Sequence, residues 1–375
     1  MKKNILKKII IFYPSFERGG VEIILLNLIN FFLKKKIKIV LIASNVKKNI
    51  FQNKLFEIKI IKTPNFVFFP DRINKAFSAS NALKDELKKS EKKNTIILSL
   101  QGSSLAIIVS KFLGFKIVVR NAEDALSSTI YAENKIQSLI VLMLKIFLYN
   151  FSNKIITNSK GSGVSLKKIL INKTDKIFPI YNPYLKKLNK KNSSKRYKYL
   201  LSVGRLTKQK DFYNLIIAFN IIKDDVPGYK LIIIGDGHLR DELQELVNNL
   251  GLTKRIIFTG WKDDIKKYYL NSKLFILNSL YEGFGNVLID AINYNLPIIT
   301  TDCKSGPKEI VDYGKGGFLV PIKNPKLLSK KILFCLNNYK LSLKKSIYAK
   351  KYIKKFDCEL NCEKYLKLIY KTLNE

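Results

Sequence analysis

Two cations and two acids have the residue types to hold and split a phosphorylated sugar: Arg205 and Lys210, then Glu282 and Asp290. Arg205 and Lys210 follow an apolar run that ends in Ser202-Val203-Gly204, where the glycine lets the backbone turn tightly. Fixed positive charges at the end of a strand suit a diphosphate, although the same pair also reads as solvated loop residues. Glu282 stands in Ser279-Leu280-Tyr281-Glu282-Gly283-Phe284-Gly285-Asn286-Val287, where a strand feeds a loop with two glycines and a helix begins near Gly285 or Asn286. Free N–H groups at a helix start, together with its dipole, favour an anion. Asp290 falls about a turn and a half inside that helix. A phosphate cradle flanked by acids that aim hydrogen bonds at sugar hydroxyls suits a nucleotide sugar. The plainer alternative makes Glu282 a capping acid and Asp290 a surface charge. Gly235-Asp236-Gly237, after Ile232-Ile233-Ile234, has the form of half a nucleotide-binding turn, and His238 beside it reads as a surface residue.

The elements that must position these groups alternate from end to end. Apolar runs at residues 9–13, 37–43, 96–100, 116–119 and 154–157 read as strands, with helical periods between them, the first being Val21, Ile24, Leu25, Leu28, Ile29 and Phe32. Residues 65–81 read as a loop. A break at Ile180-Tyr181-Asn182-Pro183 precedes the lysine-rich stretch 186–198, and the alternation then restarts with strands at 199–203, 230–234, 256–259, 274–277, 297–300 and 318–320. Strands separated by helices imply an α/β fold: two Rossmann-like, doubly wound parallel-sheet domains facing each other across a cleft, with ligands at the carboxyl ends of the strands. The expected boundaries are 1–181 for the first domain, 182–198 for the linker and 199–345 for the second domain. Helices in 346–375 are expected to pack back towards the first domain.

Composition bounds the partners. The 375 residues are 47% hydrophobic and 26% charged, which fits neither a disordered chain nor a fibre. Lys+Arg 68 against Asp+Glu 29 gives a net charge of +39, which points to a negatively charged partner or to coding bias that favours lysine throughout. Cys303, Cys335, Cys358 and Cys362 make no disulfide framework; Cys358 and Cys362, four apart, would need further ligands to hold zinc, and the single histidine, His238, lies far off in sequence. Residues 9–12 are too short for a signal-peptide core, and 139–151, broken by Lys145, fall short of the ~20 residues a spanning helix needs. That stretch reads either as a packed core helix or as a membrane-facing one.

Gly19-Gly20-Val21-Glu22, Gly204-Arg205-Leu206 with Gln209-Lys210-Asp211, Gly235-Asp236-Gly237 with Arg240, Phe258-Thr259-Gly260, the Glu282/Asp290 pair, and Thr301-Asp302-Cys303 with Ser305-Gly306-Pro307-Lys308-Glu309 recur in one order and spacing over nearly the whole chain. In these elements the chain resembles the retaining glycosyltransferases of family 4 (glycosyltransferase group 1), which have the GT-B fold. The match is specific in the second half and rests mainly on Gly19-Gly20-Val21-Glu22 in the first.

The resemblance implies a donor site in the second domain and an acceptor site in the first. Arg205 and Lys210 would neutralise the departing diphosphate, and Glu282 would contact the donor sugar's hydroxyls. Backbone amides of Phe284, Gly285, Asn286 and Val287, after Gly283, would hold the phosphates, while Asp290 would reach the ribose. Gly19 and Gly20 would let the first domain's loop approach the donor. Gly204, Gly235 and Gly237 would line it, and Thr259, Gly260, Trp261 and Lys262 would flank the nucleobase, with uridine expected over guanosine. The chain departs from the family in having Asp290 where Glu is usual, and in lacking a histidine in the first domain. At the equivalent strand end it has Val119-Arg120-Asn121-Ala122-Glu123-Asp124, of which Arg120, Asn121 and Glu123 are candidates to face the acceptor or sugar.

The same resemblance implies retention of anomeric configuration, with no divalent metal and no cofactor beyond the nucleoside-diphosphate sugar. A glycan or lipid-linked glycan acceptor is expected, as in cell-surface polysaccharide or lipopolysaccharide synthesis. The expected location is the cytoplasm, peripheral on the inner face of the cytoplasmic membrane. The N-terminal lysines, residues 34–38 and residues 136–151 are candidates to meet an anionic membrane surface. Two other readings stay open. A nucleotide-sugar 2-epimerase-like isomerase would be expected to carry more histidines around its cleft. A nucleic-acid-binding protein is suggested by charge alone and lacks helix-turn-helix, zinc and aromatic-stacking signatures, so no nucleic-acid partner is expected.

Overall fold

Runs of β-branched and leucine residues become the buried strands of two parallel sheets. The computed structural model describes residues 5–16, 19–44, 53–61, 71–171, 174–189 and 196–375. The first sheet comprises β1 (Lys8–Ser15), β2 (Lys38–Ser44), β3 (Phe56–Ile60), β4 (Thr95–Ser99), β5 (Ile117–Asn121), β6 (Lys154–Thr157) and β7 (Ile177–Pro179), in the order β3-β2-β1-β4-β5-β6-β7. The second comprises β8 (Tyr199–Val203), β9 (Lys230–Ile234), β10 (Ile256–Phe258), β11 (Leu274–Leu277), β12 (Ile298–Thr301) and β13 (Phe318–Val320), in the order β10-β9-β8-β11-β12-β13. All pairings are parallel; Ile10, for example, stands between Val40 and Ile97. Each order reverses beside its central strand, at β1/β4 and at β8/β11, and there a crevice opens at the carboxyl ends of the strands.

Both faces of each sheet are covered, so successive strand residues are buried in opposite directions. In the first sheet Ile9 and Ile11 pack towards helices Gly20–Lys34 and Cys358–Asn374, whereas Ile10 and Phe12 pack towards helices Asp71–Lys88, Ser103–Phe112 and Lys160–Lys167. In the second, Leu200 and Leu231 face helices Phe212–Ile221, Arg240–Asn249 and Pro325–Asn337, while Leu201 and Ile232 face helices Asn286–Asn293 and Tyr339–Tyr352.

The chain passes between the sheets twice, and the crossings are stitched together: Leu185 N donates to Phe356 O at 3.1 Å, and Cys358 N donates to Leu185 O at 2.8 Å. Ala349, Ile353 and Phe356 still belong to the second domain's core, so the return crossing falls at Asp357 and not at residue 346. Helix Cys358–Asn374 then buries Tyr365, Leu366 and Ile369 in the first domain.

Several expectations need correction. Residues 71–81 form part of helix Asp71–Lys88, whose thin apolar stripe of Ala79, Leu83 and Leu87 is buried among polar residues; residues 65–70 lie outside the described residues. Strands β3 and β7 add an edge each to the first sheet. Of the expected linker, residues 190–195 lie outside the described residues. Helix Lys135–Leu148 contains no buried residue, so the packed-core reading of 139–151 fails for the helix and holds only at its end, where Tyr149 is buried in the first domain's core. Residues 34–38 do not share its face: they end the helix and open the strand on the opposite side of the sheet, with Lys35 paired to Glu363 at 2.8 Å and Lys38 to Glu57 at 3.8 Å. Lys2 and Lys3 lie outside the described residues, and no described helix is long and apolar enough to cross a membrane.

Candidate active site in the interdomain cleft

Lys210 and Glu282 meet because two loops distant in sequence are sewn together. After β8 the chain makes a short turn over Lys208–Lys210, and Asp211, at φ 48°, caps the next helix through Asn214 N at 3.4 Å. Asn278, just past β11, donates to Asp211 O at 2.8 Å and accepts from Asn214 Nδ2 at 2.9 Å. Burial pushes the Asp211 carboxyl up to about 6. Leu280 N donates to Gln209 O at 2.8 Å, and Gln209 Nε2 donates to Tyr281 O at 3.0 Å. With the loops fixed in this way, Lys210 Nζ bonds Glu282 Oε1, to which Ser279 Oγ also donates at 2.6 Å. Ser305 Oγ anchors the Glu282 carbonyl at 2.7 Å. The acid is thus buried and held by a cation and a hydroxyl.

Two helix starts converge beside this pair. Helix Gly20–Lys34 follows Gly19 and helix Asn286–Asn293 follows Gly285, and neither carries a side-chain cap, so their first amides stay available. A Cβ on Gly20 would stand 3.1 Å from Asn286 Nδ2, so one domain's helix start touches the other's. Gly283 is pressed against the first domain: a Cβ there would lie 1.8 Å from Ala122 O. Phe284 is buried against Tyr181, with ring centroids 5.5 Å apart, and Val287 packs against the second domain's core. The cleft thus brings Lys210, Glu282 and the amides of residues 283–287 within one neighbourhood of Gly19 and Gly20.

The remaining expected groups fall in several places. Arg205 is exposed and makes no ion pair among the described residues. Gly204, Gly235 and Gly237 bring two loops into backbone contact. Gly235, at φ 140°, leaves no room for a Cβ, which would lie 1.9 Å from Gly204 O. A Cβ on Gly237 would meet Leu206 O at 2.4 Å. Gly260 O accepts from Gly235 N at 3.0 Å and from Thr259 Oγ1 at 3.2 Å, which ties the expected base-side loop to the same framework. Trp261 is exposed, its Nε1 donating to Asp263 at 3.1 Å, so its ring is open to a ligand.

Asp290, Arg120 and Asn121 make contacts within the protein that the sequence does not announce. Asp290 accepts from Tyr184 Oη at 2.6 Å in the connector, and burial pushes its carboxyl up to about 7. Its carboxylate is engaged by Tyr184 and lies near Tyr269 and Tyr294. Arg120 does not face an acceptor. It is buried, and its Nη2 donates to Asn182 at 2.7 Å, whose amide donates to Asn286 at 2.9 Å, so it reaches the start of helix Asn286–Asn293 through Asn182. Asn121 is likewise buried and spends its amide on Glu123 O at 2.6 Å. Glu123 alone of the three is exposed.

Ser279, Asn182, Ser305 and Glu309 stand in segments read from the sequence but have no role assigned there, and Tyr184 is not among those segments. Glu309 is buried and spans the domains: it accepts from Lys160 N at 2.9 Å and Gly161 N at 2.7 Å, the first amides of helix Lys160–Lys167, and from Tyr181 Oη at 3.2 Å. Its position in Ser305-Gly306-Pro307-Lys308-Glu309 was the available signal. At the cleft rim, Glu133 accepts from Lys208 N at 3.3 Å and meets His238 Nε2 at 3.0 Å, and Tyr131 stacks on Tyr281 with centroids 6.4 Å apart. Among the described residues no group of three or more His, Cys, Asp or Glu side chains is arranged to hold a metal ion.

The chain is similar to known proteins. Residues 185–352 match the family described as glycosyl transferases group 1. An uncharacterized glycosyltransferase of Methanocaldococcus jannaschii, MJ1059, is 35% identical over 192 residues, 48% of this chain and 47% of that protein, so the match spans about half of the relative's length. The N-acetylgalactosamine-N,N'-diacetylbacillosaminyl-diphospho-undecaprenol 4-alpha-N-acetylgalactosaminyltransferase of Campylobacter jejuni is 30% identical over 268 residues, 70% of this chain and 73% of that one. The crystal structure of Anabaena HepE in complex with UDP and glucose superposes with a TM-score of 0.77 over 97% of this chain and 100% of that one at 18% identity, which makes the fold GT-B. With the paired sheets, the two converging helix starts and a relative matched over most of both chains, the protein belongs to the group 1 glycosyl transferases.

Proposed function

We propose that the protein is a retaining glycosyltransferase of family 4 that moves a sugar from a nucleoside-diphosphate sugar, with uridine as the base, to a glycan or lipid-linked glycan acceptor in cell-surface polysaccharide synthesis. The observation that carries this reading is the meeting of Lys210 and Glu282 beside two uncapped helix starts at Gly20 and Asn286. A diphosphate placed there meets fixed dipoles and a cation, and a sugar beyond it meets a carboxylate. A relative whose acceptor name includes diphospho-undecaprenol supports a lipid-linked acceptor, and a UDP-bound neighbour of the same fold supports the base.

In the reaction the anomeric C–O bond to the β-phosphate breaks and a bond forms from an acceptor hydroxyl oxygen to the same face of the anomeric carbon. The hydroxyl proton passes to the departing phosphate oxygen. Arg205 and Lys210 stabilise the charge that develops on the leaving diphosphate, Glu282 orients the sugar hydroxyls, and no metal ion is required. Trp261 flanks the base, and Glu123 lies on the acceptor side.

The decisive experiment measures thermal stabilisation by UDP, GDP and ADP, then the anomeric configuration of product formed from a UDP-sugar. A ligand that binds only the folded state raises the midpoint by mass action. UDP is expected to raise it most and the product to keep the donor's configuration. No stabilisation by any nucleoside diphosphate rejects the site, and an inverted product rejects the mechanism.

A further inference from the structure

Helix Lys135–Leu148 is apolar at every position except Lys135, Gln137, Ser138 and Lys145, yet it buries none of its residues. Ile136, Ile140, Met143 and Phe147 recur at helical spacing on its water side and are 77%, 56%, 61% and 62% exposed, with Leu139 beside them. Phe112, at the end of the neighbouring helix Ser103–Phe112, is 83% exposed and extends the patch. Helices on globular surfaces turn a polar face to water, and contiguous apolar surface of this kind marks a binding face. Its 14 residues reach about 21 Å, short of the ~30 Å hydrocarbon core, so the helix lies along a bilayer and does not cross one.

Charge selects the occupant. No Asp or Glu occurs between residues 103 and 119 or between 135 and 153. Lys111, Lys135 and Lys145 border the apolar stripe without an ion pair among the described residues. Lysines around an apolar face match anionic headgroups above acyl chains. A second copy of the chain fits poorly, since it would bring like-charged lysines and two +39 molecules together. Position agrees: Tyr131, four residues before the helix, stacks on Tyr281 next to Glu282, and Glu133 meets Lys208 and His238 across the cleft. The patch therefore starts at the mouth of the site.

We infer that helix Lys135–Leu148, with Phe112, is a docking face that lies in the interfacial layer of a membrane carrying anionic lipid and holds the cleft mouth against it. The inference draws its purpose from the transfer reaction proposed above, but docking is measured without turnover, so the two fail separately.

The test is co-sedimentation of the full chain with phosphatidylcholine vesicles that contain or lack phosphatidylglycerol, at low and high salt. Wild-type protein is expected to bind the anionic vesicles and to lose binding as salt rises. Leu139→Ser, Met143→Ser and Phe147→Ser are each expected to lower the partition about tenfold, with thermal midpoint and UDP stabilisation unchanged. Absence of binding to anionic vesicles overturns the inference, as does a triple serine variant that binds like wild type. A wild-type dimer in sedimentation velocity that the triple variant dissociates also overturns it, because the face would then belong to a second copy.

Discussion

At the residue scale, the two candidate cations have different surroundings and so different expected variants. Arg205 is exposed and has no ion pair among the described residues, so the fold does not lean on its charge, and its proposed role is towards the diphosphate. Arg205→Ala is expected to lower kcat by ~10²–10³ while leaving the thermal midpoint unchanged. Lys210→Ala is expected to lose as much activity and, in addition, ~1–3 kcal/mol of stability, because buried Glu282 would keep only the Ser279 hydroxyl. Steady-state kinetics with a UDP-sugar, beside thermal unfolding, separate the two. A Lys210→Ala enzyme with near wild-type turnover would remove the pair from the chemistry. Lys210 and Glu282 were legible in sequence because each follows a buried strand and sits near a glycine turn, where side chains are forced to the sheet edge. Asn182, which relays Arg120 to Asn286, was not legible, since its role depends on how two domains meet. Asp290 shows the limit of reading by position: its place in the motif was found, but its short side chain bonds Tyr184.

At the element scale, helix Lys160–Lys167 joins the first domain to the second. Its first amides end on the Glu309 carboxylate of the other domain, which meets the positive end of the helix dipole. Gly161 makes that approach possible, since a Cβ on it would lie 2.8 Å from Ser305 Cα. Two effects oppose each other in Gly161→Ala. Alanine favours the helix by up to ~1 kcal/mol, whereas the backbone contact cannot absorb the methyl without moving the domains apart. The contact is expected to win. The variant should show a larger radius of gyration in small-angle scattering and a weaker response to UDP, with helix content unchanged; an unaltered scattering profile would show that Glu309 does not set the closed state. The strands of both sheets were readable because fully covered parallel strands are continuous apolar runs. Edge strands β3 and β7 were not, being short and half-covered, and Asp71–Lys88 was hidden by burying polar Asn74, Ser80 and Glu86 beside three apolar residues. Helix Lys135–Leu148 is apolar on all sides, a pattern that states what the helix avoids without saying what covers it.

At the scale of the whole molecule, +39 charges must be confined within one folded chain. Acidic partners are few, and among the described residues the ion pairs are mostly between half-exposed groups such as Lys35–Glu363 and Lys59–Glu57, which contribute little each. Folding therefore compresses like charges that the unfolded chain keeps further apart, and self-repulsion lowers stability. Salt shortens the screening length from about 10 Å at 0.1 M to about 3 Å at 1 M, which relieves repulsion within the folded protein. The same screening would weaken the proposed attraction between Lys111, Lys135 and Lys145 and an anionic bilayer. One variable thus moves two properties in opposite directions. Between about 0.05 M and about 0.5 M sodium chloride the thermal midpoint is expected to rise by several degrees while the fraction bound to phosphatidylglycerol vesicles falls. A midpoint that drops with salt would mean that the lysines are compensated by pairs stronger than those seen, and that the excess charge is not what limits the fold.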